Sequence, residues 1–176
     1  DEVKAVTDYT TMKTMPAEDA KAAGLYEVIG AEVDDAYIAE LKKQVIHQDA
    51  IDAVGKDLKI VYSPLHGTGN IPARRILKEL GFENVYVVKE QELPDGEFPT
   101  VSYPNPEAAE AFELGLKLAR EVDADIVLAT DPDADRLGVR VKDKNGEYHD
   151  LTGNMSGCLL ADYEIGQRSA LRGLPE

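Results

Sequence analysis

The sequence predicts an α/β protein in which three layers (helix, sheet, helix) form around a mixed, mostly parallel sheet of about four strands. Short β-branched segments alternate with segments of helical periodicity, and this alternation is typical of a parallel sheet with helices on both faces. Apolar residues make up 43% of the 176-residue chain, which is enough for a sizeable core and argues against general disorder.

Ahead of the predicted sheet, the pattern defines a single helix. Residues 1–33 show no sustained period, and we expect a linker or a pair of lead-in strands there. A helix should then begin at Asp34 or Asp35, either of which can cap it, and end before Gly55. Its apolar positions at helical spacing are Ile38, Leu41 and Val45.

Four strands follow, and helices connect the first three. The strands are predicted at residues 58–63, 84–88, 125–130 and 137–141. Asn70 should cap the first connecting helix, with Pro72 in its first turn and Gly81 as its stop. A long loop over residues 89–104 and a helix opened by Asn105-Pro106 should lead to the third strand.

The fourth strand differs from the first three in its expected direction. The loop before the fourth strand is too short for a parallel crossover, so we expect that strand to run antiparallel or to leave the sheet. Asn145-Gly146 is a strong hairpin signal for the chain that continues into Tyr148. A turn and a new helix are expected from Leu151 onward.

Charge and cysteine usage limit the classes of partner. The chain has 34 acidic and 19 basic residues, a net charge of −15, which disfavours nucleic acid because phosphate backbones require Lys and Arg. The single cysteine, Cys158, excludes an internal disulfide framework and fits a reducing compartment, so the expected location is the cytoplasm. The sequence has no apolar run that could span a bilayer, and no membrane partner is expected.

An acidic cluster follows the third predicted strand. Loops at the carboxyl ends of parallel strands converge on one edge of a sheet, where ligands usually bind. Asp131, Asp133 and Asp135 alternate in such a loop and can direct three carboxylate oxygens at one point. Oxygen ligands without His or Cys favour Mg²⁺ or Ca²⁺ over zinc. An EF-hand is excluded because Arg136 and Lys142 occupy the positions of its Gly and its final Glu.

Three alternatives to a catalytic metal loop remain open at this point. The cluster could be a solvated acidic turn, or a Ca²⁺- or Mg²⁺-binding module without catalytic activity. It could also belong to a phosphatase that uses Asp131 as its nucleophile, although Asp135 stands where such motifs continue with Thr or Val.

The segment "HGTGN" after the first strand has two interpretations. Gly67 and Gly69 permit close backbone approach and a helix N-terminus follows, which favours phosphate binding. A tight strand-to-helix turn is the alternative. The dinucleotide fingerprint is excluded by Pro72, and no Gly-Lys-Ser/Thr follows for a P-loop. We expect His66 to buttress the turn.

Four segments together resemble the α-D-phosphohexomutases, the phosphoglucomutase/phosphomannomutase family. The segment "TDPDADR" resembles the metal loop of that family. Companion segments occur in the family's order, namely "PLHGTG" at 64–69, "LPDGEFPTVSYPNPE" at 93–107 and "LTGN" at 151–154. The resemblance implies that residues 1–33 are the tail of a first domain and a linker, 34–150 the metal-binding second domain, and 151–176 the truncated start of a third.

The resemblance also implies an activity. The family moves a phosphoryl group between O1 and O6 of a hexose through a phosphoserine and a hexose 1,6-bisphosphate. By resemblance, Asp131, Asp133 and Asp135 are Mg²⁺ ligands, and a phosphoserine oxygen completes the site. Arg136 would steady the loop or contact the phosphoryl group. The implied partners are a hexose phosphate and the missing domains of the same chain.

The sequence departs from the family in the catalytic segments. The serine motif Thr-Ala-Ser-His-Asn-Pro and the phosphate-binding loop of the fourth domain are absent. Asn154 and Cys158 replace the Glu and His of the family's sugar-recognition loop, so we interpret "GNMSGC" as the opening turn of the third domain. The chain alone is expected to be inactive and to bind Mg²⁺ more weakly. Residues 93–107 favour a phosphoglucomutase over enzymes for mannose, glucosamine or pentose phosphates.

Overall fold

The computed structural model describes residues 2–171 and 173, and its centre is a five-stranded mixed sheet in the order β2-β1-β3-β4-β5. The strands are β1 (Lys59–Ser63), β2 (Asn84–Val87), β3 (Ile126–Thr130), β4 (Leu137–Lys142) and β5 (Tyr148–Leu151). β1 pairs in parallel with β2 and with β3, and β4 and β5 extend the sheet in antiparallel pairings.

The predicted fold class is confirmed, with a difference in the sheet. It has five strands rather than about four, and its pairings divide evenly between parallel and antiparallel. The additional strand arises because the turn at Asn145-Gly146, with Gly146 at a φ of 86°, returns the chain along β4. The fourth strand is antiparallel, as its short connection predicts.

Helices cover the sheet and also precede it. The α-helices are α1 (Glu2–Ala5), α2 (Ala17–Ala22), α3 (Gly30–Lys42), α4 (Gln48–Val54), α5 (Asn70–Leu80), α6 (Glu113–Val122) and α7 (Gly153–Leu171). From β1 the chain crosses through α5 to β2 on one side, and then through α6 to β3 on the other. Because connections between parallel strands are right-handed as a rule, crossovers in opposite directions place α5 and α6 on opposite faces of the sheet.

Among the described residues, no helix is both long enough and apolar enough to cross a membrane.

The chain divides into two compact units, one up to Ala36 and one from Tyr37 onward. In the first unit the expected pair of lead-in strands is wrong, because short helices occur there, and the expected linker stays a prediction. Pro16 precedes α2, and Glu18 in its first turn complements the helix dipole. The expected domain limits at 33 and 150 stay predictions, and residues 1, 172 and 174–176 lie outside the described residues.

The predicted helix from Asp34 or Asp35 to Gly55 is two helices. α3 begins at Gly30, so both aspartates lie inside it, and the chain leaves the helix after Lys42 before α4. Gly55 does end the second helix, and its carbonyl accepts the Glu83 amide at 3.1 Å.

The connecting helices follow the prediction in part. Gly69 occupies the capping position of α5, and Asn70 begins the helix instead, donating from its side chain to the Glu92 carbonyl at 2.8 Å. Gly81 ends α5 in the left-handed region, as predicted. The helix expected at Asn105-Pro106 begins only at Glu113, after a 3₁₀ turn.

The core lies between the sheet and α6. Val61 and Val127 from neighbouring strands pack with Phe112 and Ala119 in one buried cluster. Gly115 lets α6 approach the sheet, because a Cβ there would lie 3.1 Å from Val127 Cγ1. α6 therefore holds β1 and β3 side by side, and the loops at their carboxyl ends become neighbours.

The β4–β5 hairpin is closed by Asp143. Its Oδ1 accepts the amides of Asn145 at 2.8 Å and Glu147 at 2.9 Å, and its Oδ2 lies 3.1 Å from His149 Nε2. These donors, the Glu147 amide foremost, lower the pKa of Asp143 to about 2.

We expect the substitution Asp143→Ala to lower the free energy of unfolding at neutral pH. A lowered folded-state pKa stabilises the fold fully above the unfolded value, near 3.8, and this contribution is lost as the pH falls through about 2. The difference from wild type, measured by urea unfolding, should therefore shrink between neutral pH and about pH 3. The exposed Asp57→Ala is the control, and a difference independent of pH would contradict the prediction.

Candidate metal centre

The acidic loop (residues 131–136) joins β3 to β4 at the carboxyl end of β3. It folds as a tight turn in which the Ala134 amide donates to the Asp131 carbonyl at 3.0 Å and Ala134 has a φ of 62°. The Arg136 amide also donates to Asp131 Oδ1 at 3.0 Å. Asp131 is buried, so these bonds give the loop one fixed carboxylate at its base.

The acidic loop brings together the four residues that the sequence selects. Asp131, Asp133 and Asp135 each offer a carboxylate oxygen, and the three oxygens lie within 4.8 Å of one another. Arg136 Nε lies 3.7 Å from Asp131 Oδ2 and 3.8 Å from Asp135 Oδ1. Three negative charges and one positive charge leave a local net charge of −2, which matches one divalent cation.

Repulsion within the acidic loop shifts the pKa of one carboxyl group, that of Asp135. The charge of Asp133, and then that of Asp131, raises the pKa of Asp135, and Arg136 opposes the change. The native loop therefore holds more negative charge than its own side chains neutralise.

The donor set fits a hard divalent cation. Mg²⁺ binds oxygen at about 2.0–2.1 Å, so two of its ligands lie at most about 4.2 Å apart. Carboxylate oxygens already within 4.8 Å of one another need only a small inward rotation to reach that distance. Asp133 and Asp135 are exposed and free to make it.

The glycine loop (residues 64–69) lies against the acidic loop. A Cβ on Gly67 would lie 2.5 Å from the Pro132 carbonyl oxygen and 2.7 Å from its carbon, so only glycine allows this approach. The Thr68 amide and Thr68 Oγ1 donate to the same oxygen at 2.8 and 3.1 Å. The close approach that Gly67 permits is therefore used by the protein's own backbone, which favours the tight-turn interpretation.

The second glycine of the loop lies over a pair of hydroxyl groups. A Cβ on Gly69 would lie 2.6 Å from Tyr62 Oη and 2.7 Å from Thr130 Oγ1, which are themselves 2.9 Å apart. Burial raises the pKa of Tyr62, so its hydroxyl stays neutral. Since Thr130 immediately precedes Asp131, this pair anchors the start of the acidic loop.

His66 buttresses the glycine loop, as predicted. The ring is buried, and its Nδ1 donates to the Leu93 carbonyl at 3.1 Å. In the neutral ring Nε2 accepts the Thr100 hydroxyl at 2.9 Å. His66 thereby fastens residues 93–100 to the glycine loop rather than binding an anion.

Gln91 is the site residue that sequence reasoning missed. Its side chain is fully buried, where Oε1 accepts the Ser63 hydroxyl at 2.6 Å and Nε2 donates to Thr100 at 3.1 Å. No local pattern marks it, because its partners lie 28 residues before it and nine after it. Lys89 and Glu90 separate it from the apolar end of β2, so the sequence around it carries no signal.

Arg136 reaches beyond the carboxylates. Its side chain is 55% exposed, and it borders a cavity of about 390 Å³ that also touches Glu107 and Thr152. Gly138 lies next to this cavity, and a Cβ there would lie 2.8 Å from Pro106 Cβ and 2.9 Å from Phe112 Cε2. The guanidinium is thus available to a ligand in this cavity beside the acidic loop.

The fold of this chain is similar to part of a solved structure. The crystal structure of a phosphoglucomutase/phosphomannomutase family protein from Burkholderia thailandensis matches with a TM-score of 0.55 and 25% identity. The match covers 77% of this chain and 26% of that chain.

Sequence comparison identifies the family. The family model described as "Phosphoglucomutase/phosphomannomutase, alpha/beta/alpha domain II" matches residues 35–146. Because this match covers more than half of the chain, the chain belongs to the phosphoglucomutase/phosphomannomutase family, as the sequence motifs predict.

Curated relatives agree with that assignment. A Haemophilus influenzae protein named "Probable phosphomannomutase" is 38% identical over 159 residues, which is 89% of this chain and 31% of that protein. A Staphylococcus epidermidis "Phosphoglucomutase" is 35% identical over 158 residues, which is 89% of this chain and 28% of that protein. The chain therefore spans less than a third of the length of these relatives.

We expect Gly67→Ala to destabilise the protein by about 1–3 kcal/mol, the usual cost of overpacking. The added methyl group would meet backbone atoms of Pro132 that have no side-chain freedom to yield. Urea unfolding measures the change. Gly96→Ala is the matched control because no atom lies within 4 Å of a Cβ at that position. Equal effects of the two substitutions would contradict the role assigned to Gly67.

Without divalent cations, Asp135→Asn should maintain or raise the melting temperature, because it removes one of three mutually repelling charges. With Mg²⁺ the order should reverse: wild type gains stability, about 2.7 kcal/mol at a hundred times the dissociation constant, and the variant gains less. Thermal unfolding with and without Mg²⁺ measures both effects. An equal gain in the two proteins would show that Asp135 is not a ligand.

Proposed function

We propose that this chain provides the metal centre of a phosphohexomutase, with Asp131, Asp133 and Asp135 as the ligands of Mg²⁺. The convergence of their three oxygens within 4.8 Å carries the proposal. The loop that holds them lies inside the region matched by the family's second domain. The reaction proposed for the whole enzyme is the interconversion of hexose 1-phosphate and hexose 6-phosphate through a phosphoserine and a hexose 1,6-bisphosphate.

Each charged residue of the acidic loop has its own role in the proposed site. When bound, Mg²⁺ acts as a Lewis acid that neutralises charge on a phosphoryl group during its transfer. Asp131, buried and bonded to the Arg136 amide, gives the site a fixed point. Asp133 and Asp135 are exposed and form its solvent side, where a phosphorylated group would arrive. Arg136 supplies a planar fork of donors for phosphoryl oxygens.

We infer that these 176 residues alone bind Mg²⁺ without isomerising a sugar phosphate. The family's serine motif does not occur among them. None of the four serines, Ser63, Ser102, Ser156 and Ser169, has the context of the motif. Ser63 is also buried against Gln91, and Ser102 is bonded to Glu110. The hexose phosphate and the remaining domains are accordingly the proposed partners in the whole enzyme, and the cytoplasm is its proposed location.

The proposed domain limits place residues 1–33 in the tail of a first domain, 34–150 in the metal-binding domain and 151–176 at the start of a third. The family match to residues 35–146 supports the central range. None of the described side chains of α7 is buried, which supports a role for this helix in a further domain.

The phosphatase alternative is less well supported. A nucleophilic Asp131 would need an accessible oxygen, but its side chain is only 10% exposed. One of its oxygens accepts the Arg136 amide and the other faces Arg136 Nε. These contacts suit a positioned metal ligand better than an attacking group.

Calorimetric titration with Mg²⁺ tests the proposal. Wild type should bind, and Asp133→Asn should bind at least about ten-fold more weakly, since it loses a charged ligand worth more than 1.4 kcal/mol. Asp57→Asn, exposed and outside the loop, should bind as wild type does. Identical titrations of wild type and Asp133→Asn would count against the metal assignment.

Two activity assays accompany the titration. We expect no conversion of glucose 1-phosphate to glucose 6-phosphate by this chain, and measurable conversion would overturn the inferred inactivity. Phosphate release from p-nitrophenyl phosphate that disappears in Asp131→Asn would favour the phosphatase over the mutase.

A further inference from the structure

The Pro132 carbonyl stands between two proposed metal ligands in the sequence and is itself a good oxygen donor. Main-chain carbonyls are common ligands of Ca²⁺, which takes six to eight oxygens, whereas Mg²⁺ keeps a strict octahedron with several waters. Whether this carbonyl can join the ligand set therefore affects which cation the loop prefers.

In this structure both acceptor positions of the Pro132 carbonyl are used by one residue. The Thr68 amide donates to it at 2.8 Å and Thr68 Oγ1 at 3.1 Å. A carbonyl oxygen has two lone pairs, so the two bonds fill its acceptor capacity. The oxygen is therefore bonded to the glycine loop.

These two hydrogen bonds depend on the contact between the glycine loop and the acidic loop. Thr68 reaches Pro132 because Gly67, next to it, lacks the Cβ that would lie 2.5 Å from the same oxygen. Thr68 is exposed, so water is an alternative partner for its hydroxyl. The hydroxyl bonds to Pro132 because the two loops lie against each other.

We propose that Thr68 is a positioning residue that sets cation preference by keeping the Pro132 carbonyl out of the ligand set. The inference rests on the proposed function, since it assumes a cation on Asp131, Asp133 and Asp135. With the carbonyl withheld, the chain offers three carboxylates and leaves the other positions to water or a phosphorylated group. That ligand set suits Mg²⁺, and an added carbonyl would favour Ca²⁺.

The test compares Mg²⁺ and Ca²⁺ binding, by calorimetry, in wild type, Thr68→Val and Thr68→Ser. Valine has the shape of threonine without the hydroxyl donor, and serine keeps that donor. In Thr68→Val we expect Mg²⁺ to bind about five-fold more weakly, the effect of one net hydrogen bond, and Ca²⁺ to bind as well as before or better. The preference for Mg²⁺ should thus fall at least about five-fold, and Thr68→Ser should restore it.

The ratio of the two affinities separates positioning from a structural role. A purely structural defect would lower the melting temperature in metal-free buffer and weaken both cations alike, so an unchanged ratio in Thr68→Val would overturn the inference. Thr68→Ala is a second hydroxyl-free variant should the valine variant not fold. If wild type binds neither cation, the proposed function fails, and the inference fails with it. Binding by wild type with an unchanged ratio refutes the inference alone.

Discussion

The backbone contact between Gly67 and Pro132 is the constraint on which the site depends. The acidic loop crowds three carboxylates, which by itself would drive its backbone apart. The glycine loop opposes that tendency, because Thr68 bonds to the same carbonyl that Gly67 allows to approach. The sheet makes the contact possible: β1 and β3 are parallel neighbours, so the loops after them leave on the same edge.

A second set of contacts extends this edge. His66 holds residues 93–100, and Gln91 connects those residues to Ser63 at the end of β1. These polar side chains are buried, and within the described residues no buried side-chain polar atom lacks a partner. A fully bonded network of this kind is rigid. Three loops are thus fastened together, and a charged ligand would meet a preformed surface.

Sequence patterns predicted the parts that depend on local chemistry. β-branched runs predicted the four strands β1 to β4, and Gly81 predicted the end of a helix. The alternating aspartates predicted the position of the candidate site. The pattern failed where distant contacts decide. The break between α3 and α4 and the late start of α6 are not marked by any local period, and the partners of Gln91 lie in other segments. The short helices before Ala36 have no buried residue, so their sequences lack the apolar periodicity that predicts a helix.

The pairing of β1 with β3 also bears on the order in which the protein folds. Ile60 pairs with Ile126 across 66 positions of the chain, whereas the β4–β5 hairpin closes over a handful of residues. Short-range contacts form early, and long-range pairings must first overcome the entropy of closing a large loop. The glycine loop and the acidic loop meet only when that closure is complete. A partly folded chain therefore lacks the contact between the two loops, and the proposed cation site is completed only late in folding.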